Sequence, residues 1–375
     1  MMLPLTILCL LLSARAEELV CPEGTKTMGA PPPEGTEQWC EAESEEGPSR
    51  QGPFMDWYSK NTPKSSGEYT NNKKTGLWRF WHESGKKKAE GEYEADSRVG
   101  GWLYWYENGR QERAGKYAVD QAHGEWTYWH DNGNRWFHGE YVVGKAHGTW
   151  AYWYENGEKQ NEGVFLNGTK YKFWHQYHDN GQLKSTGRFS GGVQDGRWEF
   201  FTREGHRERE GVFRSGRPLG EWIYYFADGT IERKANFING QLHGDETSWD
   251  AQGTLRLQTS YEHGAKHGRE VAYYENGHRQ HRGDYTTGSK NGTWEHWFAN
   301  GQYHRLENWD RGVKHGRWVA WFEDGRKRYE GHLEQGKEVG RWTHWYENGE
   351  MKADGKFIAG QATGTWSIYH ENGQK

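Results

Sequence analysis

Two glutamates 24 residues apart, Glu246 and Glu270, are the side chains whose type and spacing most suggest catalysis. Carboxylates on adjacent hairpins of one sheet face could approach the separation used in glycoside hydrolysis. That reaction also needs an apolar pocket that raises one carboxyl pKa, and the surrounding sequence offers none. Five histidines, His123, His147, His243, His267 and His315, each precede a glycine and raise the question of a metal. Equivalent positions on successive hairpins lie about 9.6 Å apart, and no Cys or carboxylate recurs beside them to complete a tetrahedral set. Cys21 and Cys40 form an even pair, read as a disulfide because the chain carries an export signal. No G-x-S-x-G, HExxH or Walker-type loop occurs. The expectation is a chain with no catalytic residue, no metal and no cofactor: not an enzyme.

The elements that hold these residues follow from one period. The segment Gly148-Thr-Trp150-Ala-Tyr152-Trp153-Tyr154-Glu-Asn156-Gly157, then Gly163-Val-Phe165, recurs every 24 residues without insertion or deletion. Its opening glycine returns at Gly76, Gly100, Gly124, Gly196, Gly220 and on to Gly364; at position 172 it is Lys172. Each copy reads as a first strand W-x-x-W-Y, a Glu/Asp-Asn-Gly turn where positive φ is cheap, and a second strand with G-x-[YF]. The fold class expected is all-β: an elongated, twisted single antiparallel meander of about 13–14 tandem hairpins, with roughly 26 strands and a length of about 125 Å. Tryptophans three apart must point to opposite faces, so both faces carry rings. The bland reading of those rings is packing between neighbouring repeats.

The pattern is least regular at residues 235–309. Glu246 and Glu270 replace the first Trp there, and the second-strand glycine becomes Ala235, Thr259 and Glu307. Glu246, Glu270, Trp249 and Trp309 are therefore the candidates for partner or ligand contact.

Composition bounds the partners. Hydrophobic residues make up 33%, yet there are 23 Trp, 22 Tyr and 52 Gly, and the formal charge is −5 with both signs interspersed. No basic run is long enough to track a phosphate backbone, which excludes nucleic acid, and membrane contact is not indicated. Residues 3–12 form a short apolar run before Ser13-Ala14-Arg15-Ala16, an A-x-A cleavage pattern. The domains expected are a signal peptide at 1–16 cleaved near Ala16-Glu17, a Pro/Glu-rich leader with the disulfide at 17–51, and the repeat array at 52–375. The product is exported to the periplasm, the cell surface or the medium.

The motif G-x-W-x-x-[WY]-[YHF]-x-[ND]-G followed by G-x-[YF] resembles the MORN repeat, in the variant form of bacterial YwqK-family antitoxins. That resemblance implies an extended antiparallel sheet that mediates protein contacts or, in eukaryotic relatives, membrane association. The function expected is a protein–protein interaction or scaffolding surface. The alternatives are an aromatic groove that binds choline or a glycan at the cell envelope, and an antitoxin-like inhibitor of a partner. The chain ends one strand into a repeat, so edge-to-edge self-association is a further expectation.

Overall fold

The computed structural model describes residues 19–58 and 62–375. The expected signal segment, residues 1–16, lies outside the described residues. Among the described residues the chain forms 31 strands and no helix. These divide into two bodies, one running to Tyr171 and including Tyr177–Gly181, the other comprising Lys172–Gln176 and Gln182–Lys375. Within each body the strands pair antiparallel with their sequence neighbours, so the expected all-β meander of hairpins is the fold of each.

The leader is itself folded. Strand β1 (Thr25–Ala30) pairs with β2 (Glu37–Ala42), and β2 pairs with β3 (Ser49–Trp57), the first strand of the array. A Cys21–Cys40 disulfide ties the segment before β1 to the middle of β2, where Cys40 is fully buried. Pairing with β2 covers the edge that β3 would otherwise present. The leader strands, together with strands that break beside His267 and His315, account for more than the roughly 26 expected.

The repeat is laid out by β4 (Pro63–Thr70), β5 (Lys73–Trp81), β6 (Lys87–Glu94) and β7 (Ser97–Trp105). In register, Trp78 faces Gly91 and Phe80 faces Ala89; one strand further on, Ala89 faces Tyr104 and Gly91 faces Trp102. The opening glycine is a bulge residue at positive φ, +63° at Gly76. Lys172, which replaces that glycine, adopts the same conformation at φ +59°. The backbone pattern therefore survives a residue that disfavours it.

The two turns divide their work differently from the sequence reading. In Tyr154-Glu155-Asn156-Gly157 only the glycine has positive φ, +92°, and the Gly157 N–H donates to the Tyr154 carbonyl at 2.9 Å. The turn with two positive-φ residues is the other one, for example Val143 (+49°) and Gly144 (+71°), which is the type I′ geometry. Asn156 is thus not required for backbone freedom. Its side chain has another task.

Candidate functional site

The repeat is locked by a ring on a glycine. The Trp102 ring lies against Gly91, where an added Cβ would sit 2.2 Å from Trp102 Cδ2; Gly115 and Trp126 repeat the contact at 2.1 Å. Only glycine fits there. Trp102 Nε1 then donates to the Glu92 carbonyl at 3.2 Å and Trp126 Nε1 to the Lys116 carbonyl at 3.0 Å. The same pairing recurs at Gly139–Trp150, Gly187–Trp198, Gly211–Trp222, Gly283–Trp294 and Gly331–Trp342. Partner residues are always eleven apart. Each ring is satisfied at its N–H and almost wholly buried, which makes this column the core of both bodies.

Side chains at the turns join successive repeats. Asn108 Nδ2 donates to the Asp131 carbonyl (2.9 Å), Asn132 to Glu155 (2.6 Å) and Asn348 to Glu371 (2.6 Å), while Asn108 Oδ1 accepts the Arg110 N–H. A second ladder runs beside it. Tyr106 Oη donates to the Trp129 carbonyl (2.7 Å) and Tyr346 Oη to the Tyr369 carbonyl (3.0 Å).

The rings of both faces are largely occupied by the chain's own planar or cationic groups. On one face the first tryptophan carries a lysine: Lys74 over Trp78 at 4.4 Å and Lys290 over Trp294 at 4.0 Å. On the other, Lys87 covers Trp105 and Arg135 covers Trp153, each at 5.0 Å. Between neighbouring rings of the first face, Arg113 lies 4.0 Å from Tyr104 and 5.9 Å from Tyr128, and Phe137 stacks on Tyr128 at 4.0 Å.

The irregular stretch is built on the same register with different chemistry. Glu246 faces Ala235 on one side and Thr259 on the other; Glu270 faces Gly283. Glu246, Glu270 and Glu307 are only 7%, 4% and 3% exposed, so these carboxylates lie in the core column rather than on a contact surface. Each has a basic partner, as buried charge requires. Arg233 reaches Glu246 at 3.4 Å. Lys266 and His281 hold Glu270, the latter at 3.2 Å. Arg305 pairs with Glu307, Trp309 Nε1 donates to it at 3.0 Å, and His296 lies 3.5 Å away. The His281 ring stacks on Trp294 and lies 5.8 Å from His296, so Glu270, His281, His296 and Glu307 form one polar row, its carboxylates buried and its histidines half-buried.

Burial alone pushes both the Glu270 and Glu307 carboxyls up. For Glu270 the hydrogen bonds from His281 and Lys266 more than offset it, and for Glu307 His296 and Arg305 do so, leaving each lowered to about 2. Both are ionised at neutral pH, the opposite of what a general acid in glycoside hydrolysis needs. Trp309 belongs to this row, whereas Trp249 lies in the second-tryptophan column of the reverse face, half-buried. Of the histidine series, His243 and His267 accept the backbone N–H groups of the next turns, at His263 and Thr287. Among the described residues no group of three His, Cys, Asp or Glu is arranged to hold a metal.

Sequence reasoning missed His281 and His296. It also treated the losses of glycine and tryptophan as separate events. The signal was the spacing of eleven: Ala235 with Glu246 and Thr259 with Glu270 repeat the interval of Gly139 with Trp150.

Five repeats match the family model of the MORN repeat variant, at residues 74–95, 122–142, 146–167, 218–239 and 338–358. No curated protein matches the sequence. The solved structure described as "Crystal Structure of TcdB2-TccC3" is 9% identical, over 90% of this chain and 20% of its own, with a TM-score of 0.16. "Crystal Structure of TcdB2-TccC3-Cdc42" is 10% identical, over 86% and 24%, with a TM-score of 0.13. The chain spans about a quarter or less of the length of these chains. At such TM-scores the likeness bears on no point of function.

Proposed function

We propose that this chain, which carries MORN-variant repeats, is an exported, non-catalytic protein whose repeat faces serve as a protein–protein interaction or scaffolding surface. The observation that carries this reading is where the reactive groups lie. Glu246, Glu270 and Glu307 are buried and paired within the sheet with Arg233, Lys266, His281 and Arg305, while side chains at the repeat's own spacing face outward on a hydrogen-bonded framework. Val142 and Leu166, one repeat apart, are 37% and 45% exposed. Such columns give a partner a rigid, periodic set of contacts at little ordering cost. The Cys21–Cys40 disulfide is compatible with an oxidising compartment. Export would separate the chain from an antitoxin-like inhibitor acting in the cytosol.

The test is capture of partners by the full, disulfide-bonded chain from the envelope or secreted fraction. One protein recovered at fixed stoichiometry, together with a mature N-terminus at Glu17, supports the reading. Saturable binding of choline or a glycan with no protein recovered would replace it with the ligand-binding alternative.

A further inference from the structure

One position in the N-terminal body departs from the rule that a side chain fills each gap between neighbouring rings. In register, Arg113 lies between Tyr104 and Tyr128, Phe137 between Tyr128 and Tyr152, and Arg209 between Phe200 and Tyr224. In each, a planar group lies against a ring: Arg113 is 4.0 Å from Tyr104, Phe137 4.0 Å from Tyr128 and Arg209 4.5 Å from Phe200. Between Phe80 and Tyr104 the equivalent residue is Ala89, a buried methyl that carries no planar group into the gap. A cavity of about 360 Å³ opens there, lined by Phe80, Ala89 and Tyr104 and by the cations Lys64, Lys88, Arg98 and Arg113. That volume suits a small ligand.

The geometry points to a binding slot in which a planar aromatic ring carrying an anionic group inserts between Phe80 and Tyr104 above Ala89. The chain's own side chains show that planar groups fit such gaps. Charge selects among them: four cations line the cavity against the single carboxylate of Glu112, so a guanidinium ligand is disfavoured and an aromatic acid favoured. Lys64 is paired with Asp56, Arg98 with Asp120 and Arg113 with Glu112, which leaves Lys88 nearest to hand for the anion. This site goes beyond the scaffold reading and does not depend on it.

Calorimetric titration of the full chain with 2-naphthoate tests the slot. Saturable one-to-one binding is expected, with 2-naphthamide several-fold weaker. Ala89→Arg inserts the group found in the neighbouring gap and should lower affinity by roughly tenfold or more, the scale of two ring contacts. Lys88→Gln, an exposed change that leaves the sheet intact, should weaken 2-naphthoate and leave 2-naphthamide unaffected. Phe137→Ala, which empties the gap between Tyr128 and Tyr152, should create a second site for 2-naphthamide. A capped Glu-Phe-Glu peptide that displaces 2-naphthoate would assign the slot to a partner's side chain, and failure to displace it would assign it to a free aromatic acid. No saturable heat at millimolar 2-naphthoate overturns the proposal, as does equal binding by folded Ala89→Arg or by Lys88→Gln.

Discussion

Residues 124–165 and residues 235–309 share one backbone pattern and fill its interior in opposite ways. In the first, Trp126 lies on Gly115 and Trp150 on Gly139. In the second, the same column holds Glu246 opposite Ala235 and Thr259, and Glu270 with Lys266 and His281. The strands keep their register in both. What differs is how the core position is satisfied: by ring area in one, by paired charge in the other. A tryptophan needs a glycine beneath it, so losing either removes the reason for the other. Glu307 shows the limit of this coupling. Its carboxylate is drawn to Arg305 and Trp309, and Trp318 keeps both its burial and its hydrogen bond to the Asn308 carbonyl.

The largest contrast is expected from truncating the column. Trp126→Ala should cost about 3–5 kcal/mol of local opening free energy, the range for a buried tryptophan. Glu246→Ala should cost about 1–3 kcal/mol, since its partner Arg233 is partly exposed and can rehydrate. Hydrogen exchange of the flanking strands measures both, and equal losses would break the comparison.

Acid should separate the regions next. With folded pKa values of about 2, against an ordinary value of about 4.3 in the unfolded chain, Glu270 and Glu307 stabilise fully above roughly pH 5. That contribution, on the order of 2 kcal/mol each, is lost as pH falls towards 2. Exchange protection at 265–309 should therefore drop between pH 6 and pH 3 more than at 124–165. A uniform drop would place the carboxylates outside the balance.

Smaller effects come from the turns and the bulge. Asn132→Ala should cost about 1 kcal/mol, because its amide bridges to the Glu155 carbonyl. In the irregular stretch the corresponding residue is Gln252, and Gln252→Asn should gain a few tenths of a kcal/mol if it restores that bridge. Lys172→Gly should stabilise by up to about 1 kcal/mol, relieving the positive φ while freeing the unfolded chain. Urea unfolding resolves each, and a destabilised Lys172→Gly would show that the lysine side chain outweighs its backbone.

The period, the hairpins and the two ring faces were legible because strand alternation and turn chemistry are local. The Cys21–Cys40 bond was expected as the pair of cysteines that remains once Cys9 is assigned to the expected signal segment. The role of asparagine was misplaced because Asn-Gly signals a positive-φ pair by default, whereas here the glycine alone takes that conformation and Asn108 reaches the next repeat. Glu246 and Glu270 stood among the contact candidates because the repeat is least regular there; their burial depends on partners such as Arg233 and His281, which come from neighbouring strands. The gap above Ala89 was invisible for the same reason, since it is defined by Phe80 and Tyr104 on either side.

The claim that ring and glycine form one lock is tested most directly by a double-mutant cycle at Ala235 and Glu246. Glu246→Trp alone should destabilise the strands around it, since the Ala235 methyl occupies the ring's place. Adding Ala235→Gly should recover that loss with a coupling above about 1 kcal/mol, read from local opening by hydrogen exchange. Additive effects within about 0.3–0.5 kcal/mol would contradict it.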